Sequence, residues 1–264
     1  MHGFTRGQVH PTALISDKAQ IGRNVTIGAN VIVYDNVKIG ADSYVGPHSI
    51  LGEPLSDYYQ GHEYENAPLV IGDSALIRSC AVIYAGSEIG HHFACGNRVA
   101  IREKTRMGHH CRVGTLSDIQ GACRIGDYVS FHSNVHIGQG SVIGDYVWIF
   151  PYTVLTNDPH PPSYVCNGVT VEEFAVIATQ VVVLPGVRIG REALVGAASL
   201  VRSDVPPEAV VVGVPAKQIR TVHDIEHTDG KRPAYPWGAH FERGMPWEGI
   251  GYGQWLKQRG LPGH

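Results

Sequence analysis

From Ile71 to Leu155 every sixth residue is apolar: Ile71, Ile77, Ile83, Ile89, Cys95, Ile101, Met107, Val113, Ile119, Ile125, Phe131, Ile137, Ile143, Ile149 and Leu155. A small or apolar residue often stands two places earlier, as at Ala75, Ala81, Val99, Cys111, Val129 and Val135, and glycine often follows. A six-residue period is neither the 3.6 of a helix nor the alternation of an ordinary strand. One hexad offers only two inward side chains, too little apolar surface to fold alone, so hexads must stack on one another to close a core. Three hexads make one triangular turn of a parallel β-helix. The branched residue fills the interior, and the glycine-type residue is expected at the tight corner, where a Cβ is costly.

The register already runs from Ile15 to Leu51 and returns from Val171 to Val201, giving 28 hexads. They predict an all-β chain of roughly nine triangular coils, about 45 Å tall at ~4.8 Å per rung. Residues 1–12 read as an N-terminal cap, 13–204 as the β-helix, and 205–264 as a capping segment and an aromatic-rich arm. Two stretches break the register and read as corner loops: the polar, Tyr-rich 53–68 and the Pro-rich 157–168. Tyr58, Tyr59 and Tyr64 are placed either to stack on a base or sugar or to pack on their own coil. The arm holds Trp237, Trp247 and Trp255 among many Gly and Pro. It predicts an extended segment with one short helix near residues 253–259, its Trp side chains buried on a coil or on a neighbouring subunit.

Net charge −3 and 17% charged residues leave no electrostatic footprint for nucleic acid or an anionic membrane surface. No apolar run is long enough for a spanning helix, and Met1–Arg6 lacks the apolar core of a signal peptide, so the expectation is a cytoplasmic protein. Cys95, Cys111 and Cys123 fall at inward positions and read as small hydrophobes, while Cys80 and Cys166 read as ordinary surface thiols.

Strings such as Val25-Thr-Ile-Gly-Ala-Asn30 and Ser141-Val-Ile-Gly-Asp-Tyr146 resemble the hexapeptide-repeat acyltransferases of the left-handed parallel β-helix fold, closest to nucleotide-sugar N-acetyltransferases. The left hand is implied by that resemblance, since parallel crossovers are otherwise right-handed. Val183-Leu-Pro-Gly-Val-Arg-Ile-Gly190 and the run from Asp204 to Arg220 are similar to the closing segment of the coenzyme-A-dependent members. The resemblance implies acetyl-CoA or another short acyl-CoA as co-substrate and no metal. Arg202, Lys217 and Arg220 would meet its phosphates, and the small residues Ala178, Ala197 and Ser199 would let a pantetheine arm lie against the backbone. It further implies a homotrimer with the groove between neighbouring rods, and a small-molecule acceptor, an amino sugar carried on a nucleotide.

Acyl transfer needs a group to take the nucleophile's proton. Residues 18 apart stack on one face, so Asp118 lies beneath His136 at one strand spacing, where a carboxylate orients the imidazole and raises its basicity. Arg102 and Glu103 lie on a lower coil, His132 and Asn134 stand beside His136, and Asn157, Asp158 and His160 occupy the second loop; these are the candidate substrate-side residues. The resemblance also offers His160 as the base, because related O-acetyltransferases carry one in the loop before the final coils. Thr156-Asn157-Asp158 resembles a segment of the nucleotide-sugar N-acetyltransferases, some of which use no protein base. His136 and His160 therefore compete. His91–His92 and His109–His110 are expected to form a surface ladder.

The leading expectation is a coenzyme-A-dependent N-acetyltransferase, with O-acetylation of a hydroxyl acceptor as its alternative. From another class, γ-type carbonic anhydrases share the β-helix and hold zinc through three His with an open fourth position; His132 and His136 lack a third His on a matching face. A non-catalytic assembly module is the third reading.

Overall fold

The computed structural model describes residues 7–260. The 28 hexads become 28 short strands, from Leu14–Ile15 to Leu200–Val201, wound into three parallel sheets. Sheet I holds ten strands beginning at Leu14–Ile15, sheet II nine beginning at Gln20–Ile21, and sheet III eleven beginning at Thr26–Ile27. The rod is slightly longer than the nine coils expected. Ala209–Gly213 adds a parallel rung on Leu194–Val195, and Ala216–Thr221 folds back antiparallel to close the sheet. The spacing hides this rung, because the next inward residue after Val201 is Val205, which bridges Ile189 four positions on instead of six, and only then does Val211 follow.

The two inward side chains of each hexad form one continuous core, from Val25 and Ile27 up to Ala209 and Val211. Where the first of the pair is polar, its hydroxyl is consumed by the backbone: Ser117 Oγ donates to His132 O at 2.8 Å and accepts from Val135 N at 3.1 Å. That pairing removes the cost of an unmet buried hydroxyl. The Cys95 and Cys111 thiols are pushed up to about 11 and about 12 by burial, as inert packing groups are.

The glycine that follows the inward residue is not the left-handed corner residue. It is required by close approach: a Cβ on Gly40 would stand 2.4 Å from Asp73 N of the next coil. The left-handed position comes two residues later and is filled mostly by side-chain-bearing residues, among them Asn24, Asp42, His92, Tyr128 and Phe174, all with φ between 56° and 61°. Asn, Asp and His tolerate this region best.

Both inserted loops leave the edge between sheets I and II, one after Ile50–Glu53 and the other after Val154–Leu155. Loop 53–68 contains a four-residue helix, α1 (Ser56–Tyr59), and packs on its own coil through the edge-on pair Tyr34–Tyr58. Asn66, 7% exposed, pins it by donating to Gly52 O and Asp35 O while accepting from Tyr64 Oη.

The arm crosses the opposite side of the rod. Trp247, Tyr252, Trp255 and Leu256 bury against Tyr146 and Phe174, which are consecutive left-handed corner residues stacked 4.7 Å apart. The expected short helix is α2 (Tyr252–Gln258), and the Trp side chains pack on the chain's own coils. Trp247 is fully buried and its Nε1 donates to Phe241 O at 2.9 Å.

Candidate functional site

The outward row of sheet I runs Leu14, Ile32, Ile50, Val82, Ala100, Asp118, His136, Val154, Val182, Leu200. Two of these ten carry polar chemistry, and they are adjacent. His136 Nδ1 lies 3.1 Å from Asp118 Oδ2. A carboxylate only accepts, so Nδ1–H donates and Nε2 is the basic nitrogen. Gln120 Nε2 donates to the same oxygen at 2.6 Å. The His136 hydrogen bond, helped by that of Gln120 and opposed by partial burial, holds Asp118 below the usual carboxylate range. Asp118 is thus an anion that fixes one face of the imidazole.

One rung below Gln120, at the edge between sheets I and II, Arg102 binds Glu103 through Nε at 2.8 Å and Nη2 at 3.1 Å. Its guanidinium also stacks over Tyr84, 4.8 Å from the ring centre. Burial pushes Glu103 up, but the Arg102 hydrogen bonds and charge, joined by a backbone hydrogen bond and the Lys104 charge, together leave the carboxylate below its ordinary value. These residues and loop 53–68, through Glu53, Leu55 and Tyr59, enclose a cavity of about 330 Å³. Loop 157–168 rises from the same edge one rung above His136. The pair therefore sits on a wall framed by two loops, with a cavity at its lower end.

The other sequence candidates separate. His132 and Asn134 lie on the opposite edge of sheet I, where it meets sheet III, and Asn134 is a left-handed corner residue with φ 58°. Asp158 is taken up by its own loop, accepting from His160 N, Ser163 N and Ser163 Oγ at 2.6–2.9 Å. Asn157 ties that loop down by accepting from Asn167 N and donating to Cys166 Sγ. His160 is exposed, and among the described residues its ring makes no hydrogen bond that fixes it.

The six residues expected to hold coenzyme A do not meet in one place. Ala178, Ala197 and Ser199 line the edge between sheets III and I, Arg202 ends a sheet I strand at the far edge, and Lys217 and Arg220 lie on the antiparallel closing strand. Ser199 is buried, and its hydroxyl accepts from Gly213 N, so it fastens the closing hairpin. Within the chain, no group of three His, Cys, Asp or Glu is arranged to hold a metal ion among the described residues. His91 and His109 stack at 5.1 Å, as do His92 and His110 at 4.5 Å, forming the expected surface ladder.

Gln120 and Tyr84 escaped the sequence reading although the 18-residue stack contains the signal. Tyr84 is 18 before Arg102, and Gln120 is 18 after it.

A six-residue repeat wound into three parallel sheets defines the class, a hexapeptide-repeat parallel β-helix, and residues 18–53 match the family described as bacterial transferase hexapeptide (six repeats). Over 75 residues the chain is 40% identical to 2,3,4,5-tetrahydropyridine-2,6-dicarboxylate N-acetyltransferase of Staphylococcus aureus strain JH9, a match that covers 28% of this chain and 30% of the relative. The chain thus spans about a third of the length of the curated relatives it matches. Among solved structures, the Arabidopsis UDP-N-acetylglucosamine acyltransferase superposes with a TM-score of 0.59 at 21% identity, covering 81% of this chain and 74% of that one. That likeness extends the shared fold along most of the rod.

Proposed function

We propose that this protein is an acyl-CoA-dependent acetyltransferase that N-acetylates an amino sugar attached to a nucleotide. The observation that carries the proposal is the His136–Asp118 pair, hydrogen-bonded at 3.1 Å on an otherwise apolar face, in a fold whose repeat matches bacterial transferases. The match to a relative named as an N-acetyltransferase supports amine acylation, and the likeness to a UDP-N-acetylglucosamine acyltransferase supports the fold as a frame for it.

In this reading His136 Nε2 takes a proton from the acceptor amine as its nitrogen attacks the thioester carbonyl carbon. The C–N bond forms, the C–S bond breaks, and the proton returns to the departing thiolate, giving free coenzyme A. Asp118 stabilises the imidazolium formed on the way, and Arg102 with Glu103 orients the polar acceptor above the cavity. His160 belongs to the loop that borders the acceptor. The protein acts in the cytoplasm as a homotrimer, in which the apolar row of sheet I faces a neighbouring rod and brings its wall to the His136 edge.

The test is release of free thiol from acetyl-CoA in the presence of a panel of acceptors: nucleotide-linked amino sugars, their hydroxyl counterparts, and tetrahydropyridine dicarboxylate. Turnover with the amino sugars is the expected result. Release with hydroxyl acceptors alone makes it an O-acetyltransferase, and release with none removes the assignment.

A further inference from the structure

Between the arm and sheet III, across one corner from His136, runs a groove to which the proposed acyl-transfer step assigns no role. We propose that it binds a nucleoside diphosphate group, with the base in an aromatic chamber and the phosphates on three arginines.

The chamber encloses about 350 Å³. Its walls are almost all rings, chiefly Trp148, Phe150, Trp237 and Phe241. His132 lies flat on Phe150, with centroids 4.5 Å apart and planes at 16°, while Trp148 meets Trp237 and Phe241 edge to face. Faces and edges at these spacings suit a flat heteroaromatic ring, since base–aromatic stacking is sequence-tolerant and favourable. Two polar atoms of this wall, His132 Nε2 and Trp148 Nε1, are buried with no hydrogen-bond partner among the described residues. Burial also lowers the basicity of His132, which keeps its ring neutral. A nucleobase carries ring nitrogens and exocyclic groups that can pair with such atoms, whereas a saturated chain offers nothing to either.

Through His132, Trp148 and Phe241 the chamber opens into a trough of about 430 Å³. Gly96 and Gly114 keep its floor low between Arg78 and His132. A Cβ on either would come within 2.4 Å of the next coil, at Thr115 N and His132 C respectively. No Asp or Glu lines the trough, but Arg78, Arg112 and Arg243 do. None of the three takes part in an ion pair among the described residues. The arm sets this cluster, because Gly244 lies directly against Arg112 Nη2 and so holds Arg243 over the same trough. Three unpaired guanidinium groups match phosphate oxygens in charge and in fork geometry. From Trp148 to Arg112 is two rungs of sheet III, roughly 10 Å, the span from a base to its diphosphate.

The same group occurs in free nucleotides, in coenzyme A and in nucleotide-linked sugars. Titrating the full chain with ADP while following tryptophan fluorescence tests the site, since Trp148 and Trp237 wall the chamber. A saturable change is expected, weakened at least tenfold in Arg78→Gln/Arg112→Gln and by added salt, with adenosine far weaker than ADP. Both arginines are exposed, so an unchanged melting temperature checks that the variant is folded. Displacement of ADP by coenzyme A or by a UDP-sugar assigns the groove to that compound, and displacement by neither assigns it to free nucleotide. The proposal is overturned if ADP does not bind, if the double substitution leaves its affinity unchanged, or if dodecyl phosphate binds in its place. Binding is read without turnover, so its failure leaves the acyl-transfer reading standing.

Discussion

His136 and His160 are separated by how each is held. His136 has a charged partner fixed by the stack and a second donor, Gln120, on the same oxygen, whereas the His160 ring has no such partner. A positioned general base contributes about 10²- to 10⁴-fold. His136→Ala is therefore expected to lower kcat by about 100-fold or more, with His160→Ala within several-fold of the native rate. Asp118→Asn keeps a hydrogen-bonding group but loses the anion. It should lower kcat and displace the acidic limb of the pH–rate profile, which a merely structural role would not do. Full activity in both His variants would mean that the substrate supplies its own base. A second group of histidines makes stability depend on pH. Burial lowers the basicity of His110, with His92 and His109 adding to the effect, and burial lowers that of His132. The unfolded chain then binds more protons than the folded one, so this contribution is whole above about pH 6.5 and is lost as pH falls from there through the folded values. The melting temperature should drop between pH 7 and pH 5. The drop should be smaller in His110→Phe, which keeps the ring stack between His92 and Tyr128; an equal drop would show that His110 is not among the groups responsible.

The loops and the arm were legible as elements but not as contacts. Counting hexads places both loops on one edge, since fifteen hexads, five whole turns, separate them. What Tyr58 and Tyr64 touch could not be counted in this way, because inside an insertion the register no longer fixes which coil a side chain faces. Asn66 is the fastening that the pattern conceals. Asn66→Ala strips partners from Gly52 O, Asp35 O and Tyr64 Oη and should cost about 2 kcal/mol in urea unfolding, with a rise in acceptor KM as the cavity wall loosens. The arm depends on Trp247 in the same manner. Trp247→Ala should remove about 3–5 kcal/mol of docking energy. Trypsin should then cut after Lys231 or Arg243 while the β-helix stays resistant. Protection equal to that of the native chain would show that the arm docks without this ring.

At the scale of the molecule the three faces differ sharply. Sheet II presents Lys38, Glu88, Arg106, Arg124 and Arg188 to solvent, and sheet III is partly covered by the arm. Sheet I is apolar except at Asp118 and His136. The proposed trimer accordingly uses sheet I, and Val82→Asp with Val154→Asp should convert a threefold mass in light scattering to that of one chain. A native protein that already runs as a monomer would refute that assembly. The sequence by itself determined the rod. A hexad that cannot bury itself must stack, and the same stack fixed the His136–Asp118 pair, since 18 residues return the chain to the same place. The tertiary structure alone decided the rest: the extra rung at Val211, the fastening of the loops, the scattering of the residues expected to hold coenzyme A, and the meeting of the arm's Trp237, Phe241 and Arg243 with Trp148 and Arg112. Periodicity carries information only while the register lasts. Beyond its end, position is set by aromatic burial and by single hydrogen bonds, which leave no period to read.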